Sequence, residues 1–391
     1  MFRIEGVGQR YAWGSTDAIW SILGQKPDGL PLAEWWFGAH PLGDSTTNEH
    51  GTLSAALQQR PELLGQAAAE SFDGRLPYLV KFLSAASPLS LQAHPSREQA
   101  VEGYRRESLL GIPVDSPERS FKDEWPKPET LIALTPFEGL LGFRDPTVTA
   151  QLFESLGLSH GLEGIIRPLR DRKPTPALQE VFLDVLSLGD RRHLVDELLG
   201  AAVQHLEAPG ELGLFAQTAV ELDEHFPGDP GILAALLLNR FRLEPGQSIA
   251  LGASIMHAYI KGTGVEVMAN SDNVLRGGLT QKHIDVDALL HVVRFEPTAV
   301  DIHTAQGTDG LYLYPSSAPE FEVWLIQPVG TFSIEVPRVD AGRILVVTEG
   351  GFTLDGDTTI ELSQGQAVFL PAEEQCHAAG RGKMFVIASG I

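Results

Sequence analysis

Read for polarity alone, the chain changes texture twice. Up to about residue 145 the apolar residues come in short runs punctuated by Gly and Pro, such as Leu79 to Phe82 and Leu89 to His94, which predicts strands, with a helical stretch between Glu98 and Arg106. From about 146 to 240 the period lengthens. Leu178, Val181, Phe182, Val185 and Leu186 fall at i, i+3, i+4, i+7 and i+8, one apolar face of a helix. From 241 onward β-branched runs return, separated by Gly-rich turns at Glu349 to Gly351 and Asp355 to Asp357. A weak repeat runs through this last region. Gly246-Gln247 leads through Leu251-Gly252-Ala253 to His257-Ala258, and Gly365-Gln366 leads through Leu370-Pro371-Ala372 to His377-Ala378. A strand and turn that deliver a residue to an inner face are the working unit of a double-sheet barrel. The pattern therefore predicts a mainly β protein with a helical insertion: two jelly-roll barrels plus an α-helical domain. The expected division is 1–145 with 241–305 for the first barrel, 146–240 for the helices and 306–391 for the second barrel.

Length and composition fit that picture and narrow the function. At roughly 100 to 200 residues per domain, 391 residues make two or three domains. A hydrophobic content of 43% with 20% charged residues is that of a folded globular protein. The formal charge of −22 opposes nucleic acid and anionic membranes, so an anionic ligand would need locally gathered Lys and Arg. The single cysteine, Cys376, rules out an internal disulfide framework and fits the reducing cytoplasm. The first residues hold no apolar leader, and the longest apolar run, Ile232 to Leu238, is too short to span a bilayer.

Candidate chemistry comes in pairs two residues apart, the spacing that puts side chains on one face of a strand. Gln92 and His94, in Ser90-Leu91-Gln92-Ala93-His94-Pro95, offer an amide oxygen and an imidazole; a hydrogen-bonded histidine at a strand end would read the same way. Lys127 and Glu129 flank Pro128, and a surface loop is the alternative there. His257 and Tyr259 add a second imidazole and a phenol. Together the pairs supply the N and O donors of a zinc-type catalytic site with an open position. The densest stretch is Val265 to Lys282, where Glu266, Asp272, Asn273, Arg276 and Lys282 crowd among small residues. Such a cluster is either a ligand site or a solvated loop with surface ion pairs.

These residues resemble the type I phosphomannose isomerases. The resemblance rests on His257-Ala258-Tyr259, Glu266, Met268-Ala269, Ser271-Asp272-Asn273, Arg276 and Lys282. It is supported by Tyr78 to Lys81, Pro88 to Pro95, Lys127-Pro128-Glu129, and Ala33-Glu34, Trp36 and Gly38 to Pro41. It implies cupin-type barrels and one zinc per chain, held by Gln92, His94, Glu129 and His257. It also implies a catalytic Arg276, with Ser90, Lys81, Lys127, Tyr259, Glu266, Asp272 and Lys282 lining the pocket. The chain departs from the family's usual Tyr, Asn and His at Phe121, Trp125 and Pro126, and from its Ala and Pro at Gly277 and Gln281. His40 reads as structural.

The reaction so implied interconverts mannose 6-phosphate and fructose 6-phosphate, connecting mannose with central sugar metabolism and GDP-mannose synthesis, and needs no redox cofactor. It needs a base beside a carbonyl and a cation for the enediolate. Glu266 and Lys127 are the candidate bases, and Lys81, Lys282 and Ser90 the candidate phosphate contacts. A monomer in the cytoplasm, with a sugar phosphate as its only partner and neither nucleic acid nor membrane, is expected. Two other readings compete: a non-catalytic, metal-containing sugar-phosphate-binding barrel, and an iron oxygenase using His94, His257 and Glu129.

Overall fold

In the computed structural model, which describes residues 1–158, 160–189, 193–330 and 333–391, strands form two large antiparallel sheet systems, and the main run of helices is inserted within the first, between Phe137–Phe143 and Leu238–Leu243. The first system is built around one long strand, His257–Ala269, preceded by Gln247–Leu251. The second is built around His377–Ala388, preceded by Ala367–Leu370. The repeat in the sequence is thus a repeat of strand, turn and long central strand. Gly246 and Gly365 open both copies with positive φ, 89° and 82°. The two histidines part company, since His257 is buried and His377 exposed.

The His257–Ala269 strand serves two sets of neighbours. Its first residues pair with Phe137–Phe143 and, at His257, with Gln92; its second half pairs with Tyr78–Ala85 and Glu129–Ala133. Tyr259 and Glu266, seven residues apart, would have Cα atoms about 23 Å apart on a straight strand. Their side chains nevertheless meet, the Tyr259 hydroxyl donating to Glu266 Oε1 at 2.8 Å. The strand must therefore fold over on itself between them. Gly262 permits the corner: its φ is 130°, and a Cβ there would lie 2.7 Å from the Phe137 Cα.

Helices run from Pro146–Leu156 to Gly231–Ala235, within the 146–240 stretch. Leu178, Val181, Phe182 and Val185 are all buried, as the period predicts. The helical core also takes in Leu91, Ala93, Met256 and Leu275, so the helices press on the strands that carry Gln92 and Arg276. Among the described residues no helix is long and apolar enough to cross a membrane.

Two features differ from the sequence reading. Glu349 to Gly351 is no turn but the kinked middle of one strand, Arg343–Asp355, where the register with His377–Ala388 shifts between Val347 and Glu349. A bulge absorbs the extra residue and lets the strand change neighbours from Ala367–Leu370 to Thr359–Ser363. The chain's start also crosses the expected division: Phe2, Arg3 and Ile4 pair with Phe369, Val368 and Ala367 of the second barrel. The second barrel is filled by apolar side chains, among them Leu345, Phe352, Val386 and Cys376. Burial pushes the Cys376 thiol up to about 11.

Candidate metal and active site

Three buried side chains converge beneath a large cavity. His94 Nε2 lies 3.3 Å from Glu129 Oε1, and His257 Nε2 lies 3.6 Å from Glu129 Oε2. The His94 Nδ1 faces the Asn273 carbonyl at 2.8 Å and the His257 Nδ1 faces the Ile255 carbonyl at 3.0 Å. A carbonyl only accepts, so each Nδ1 carries the proton and each Nε2 presents a lone pair. Burial first of all lowers both imidazole pKa values, that of His257 to about 4, so both rings are neutral near pH 7. Glu129 stays ionised despite its burial, because the Lys127 ammonium, 3.1 Å away, holds its carboxyl well below the usual range.

Two lone pairs therefore point at a carboxylate with no donor between them. Both Nε2 atoms lack a hydrogen-bond partner, a costly arrangement that a cation would relieve. Among the described residues this is the one cluster of His, Cys, Asp and Glu able to hold a metal, its ligand atoms within 4.8 Å of one another. Gln92 stands directly across the sheet from His257, and Arg276 directly across from Gln92, so all three point to one side. Two imidazoles, a carboxylate and an amide oxygen, with backbone carbonyls orienting the rings, are a donor set suited to zinc.

Above this floor opens a cavity of about 1740 Å³, on which Lys81, Ser90, Gln92, Tyr259, Asp272 and Arg276 all have surface. Lys127, Glu129, Glu266 and Lys282 line it too. The predicted residues are thus brought together, but their surroundings differ. Arg276 is half-buried and has no protein partner among the described residues, while Lys282 lies at the exposed mouth, its pKa lowered by burial and then by Arg276. Lys81 is buried between two carboxylates, 3.4 Å from Glu34 Oε1 and 3.1 Å from Glu266 Oε2. Burial alone would lower its pKa, but these carboxylates raise it. Reading Lys81 as a phosphate contact therefore gives way, since its charge is already met inside the protein. Glu266 is raised above the usual carboxylate range, chiefly by burial.

The structure adds organisers that spacing did not reveal. Asn273 is fully buried, and its amide donates to the Trp125 carbonyl at 2.7 Å and accepts from the Lys122 N–H at 2.7 Å, tying the loop before Lys127 to the one before Arg276. His40 is buried and faces Asp272 Oδ1 at 3.3 Å, while the Leu42 N–H donates to its Nδ1, so it holds a pocket residue in place, as expected of a structural histidine. Phe121 packs against Gly103, and Trp125 lies 3.9 Å beneath the Arg97 guanidinium. Glu34 belongs to the Ala33-Glu34 element of the family resemblance and is a charge at an inward position of the strand Glu34–Phe37, but neither signal gives it a partner.

Residues 1–146 match the family model described as phosphomannose isomerase type I, catalytic domain. The chain is 35% identical over 387 residues to the mannose-6-phosphate isomerase of Salmonella typhimurium strain LT2, covering 96% of each. It is 30% identical over 409 residues to the mannose-6-phosphate isomerase of Homo sapiens, covering 96% of this chain and 94% of that one. A crystal structure of mannose 6-phosphate isomerase bound with zinc and yttrium superposes with a TM-score of 0.91 at 31% identity, covering 100% of both chains. A zinc-bound holo structure of mannose 6-phosphate isomerase gives 0.90 at 31%, covering 100% of this chain and 99% of that one.

Proposed function

The chain belongs to the type I phosphomannose isomerases, and from that premise we propose how its residues share the work of interconverting mannose 6-phosphate and fructose 6-phosphate. It is an aldose-ketose isomerase and its cofactor is zinc. The observation that carries the reading is the pair of bare Nε2 atoms facing Glu129 below a cavity whose wall holds an arginine unpaired among the described residues. His94, His257, Glu129 and Gln92 would hold the ion, which supplies Lewis-acid polarisation or fixed positions for the sugar oxygens.

Starting from the open-chain aldose, a base takes the C2 proton while the C1 carbonyl gains the electron pair. Return of that proton to C1 and passage of the O2 proton to O1 complete the ketose. The step is internally balanced and needs no oxidant. We assign the base to Glu266, whose raised pKa brings a carboxylate closer to the operating pH and which lines the cavity. Lys127, engaged with Glu129, acts as a cation beside it. Arg276 stands ready for the enediolate oxygens, its planar fork permanently charged. Lys282, at the exposed mouth, and Ser90 take the phosphate, and Asp272 and Tyr259 accept from sugar hydroxyls. Pro126 has no proton to give, so no step is assigned there.

Action as a cytoplasmic monomer without nucleic acid is the reading we keep, supported by the formal charge of −22, which opposes nucleic acid, and by the lone buried cysteine, which fits a reducing compartment. A coupled isomerase assay tests the whole reading. Zinc-loaded protein turns over mannose 6-phosphate, chelated protein does not, and His257→Ala loses most metal and most turnover together. Full activity with near-stoichiometric zinc in that variant would overturn the ligand assignment.

A further inference from the structure

Glu34 has no role in the scheme above, yet it is a buried carboxylate on the cavity wall, with 6% of its surface exposed. The sheet explains its place. Trp36 pairs with Lys81 and Lys81 with Glu266, a row of three across adjacent strands, and Glu34 stands two residues along from Trp36 on the same face. The Trp36 indole N–H donates to Glu34 Oε2 at 2.9 Å, which turns Oε1 toward the Lys81 ammonium, 3.4 Å away. Glu266 Oε2 meets the same ammonium at 3.1 Å, and the Trp36 ring lies 5.2 Å from it. One carboxylate would suffice to neutralise a buried lysine, and a second adds a desolvation cost. What two anchors add is direction. Glu34 takes one ammonium N–H as a hydrogen bond and Glu266 holds the ammonium as an ion pair; no other protein acceptor among the described residues lies against it, while the side chain lines the cavity.

We propose that Glu34 is a positioning residue for the isomerisation: with Glu266 it clamps the Lys81 ammonium so that the remaining N–H points at a reacting oxygen of the sugar. The inference rests on the assignment of Lys81 and Glu266 to the active site. Preorganised donors of this kind act on turnover more than on binding.

The test is a double-mutant cycle on zinc-loaded protein with Glu34→Gln, Lys81→Met and the pair, reading kcat, KM, zinc content and thermal midpoint. Glu34→Gln should lower kcat by about tenfold or more, with KM within about threefold, and keep stoichiometric zinc and a folded protein. In the Lys81→Met background the same change should cost nothing further, because its effect passes through the lysine. Should Lys81→Met fail to fold, Lys81→Arg takes its place in the cycle, with the loss from Glu34→Gln expected to shrink. Unchanged kcat in Glu34→Gln, losses that multiply in the double variant, or loss of zinc or fold in Glu34→Gln would each overturn the proposal. Full turnover in Lys81→Met would instead overturn the assignment on which it rests.

Discussion

At the scale of single residues, the site is a set of charges and lone pairs held where water would not leave them. His257 gives the sharpest consequence. Burial and the neighbouring His94 push its imidazole to about 4, against about 6.5 for the unfolded chain. Protons thus bind the unfolded state first, so the stabilisation is intact above about pH 6.5 and is lost as the pH falls toward 4, an amount on the order of 3 kcal/mol. Urea midpoints of metal-free protein should drop over that window, and His257→Asn should flatten the drop; an unchanged slope would mean the ring is not buried neutral. Arg276 gives a kinetic one. With no side-chain partner among the described residues and a place across from Gln92, it should act on the transition state, so Arg276→Ala should lower kcat and kcat/KM together by about a hundredfold or more, with Arg276→Lys restoring only part. A tenfold or larger rise in KM at unchanged kcat would move it to phosphate binding.

At the scale of elements, the corner in His257–Ala269 matters most, because it brings Tyr259 over Glu266 and carries His257 and the floor of the cavity on one strand. Gly262→Ala forces a Cβ against the Phe137 backbone at a φ suited to glycine. It should cost about 2 kcal/mol or more in urea unfolding and lower zinc retention on dialysis. Stability equal to the parent's would show that the corner can open. This element also shows what the sequence made legible. The residue pairs at spacing two, the helix period over Leu178 to Leu186 and the repeat ending in His257 and His377 are local patterns, and each has its counterpart in the fold. Glu34 clamping Lys81, Asn273 orienting His94 and the bulge at Glu349 to Gly351 depend on which strands become neighbours, and no window along the chain contains that information.

At the scale of the molecule, the two barrels are stitched together. Phe2 to Ile4 complete the second barrel's sheet, and the Tyr78 hydroxyl, on the strand that carries Lys81, lies 2.8 Å from the Gly342 carbonyl and 3.0 Å from that of Ile387. A chain ending at residue 305 should therefore fail to fold cooperatively or retain zinc, as circular dichroism and metal analysis would show; a stable, zinc-loaded fragment would refute the stitching. The second barrel's histidine has no such reach. His377 is exposed, and His377→Ala should leave zinc at one per chain, a halved stoichiometry being the contrary result. The apolar filling of that barrel carries one more consequence. Its Cys376 is wholly buried, with a thiol that ionises only near pH 11, so maleimide reagents should pass the native protein by. A cysteine placed at exposed Leu42 on the cavity rim would then take a fluorophore alone, and its emission would report the sugar entering in real time, with no native thiol to remove first.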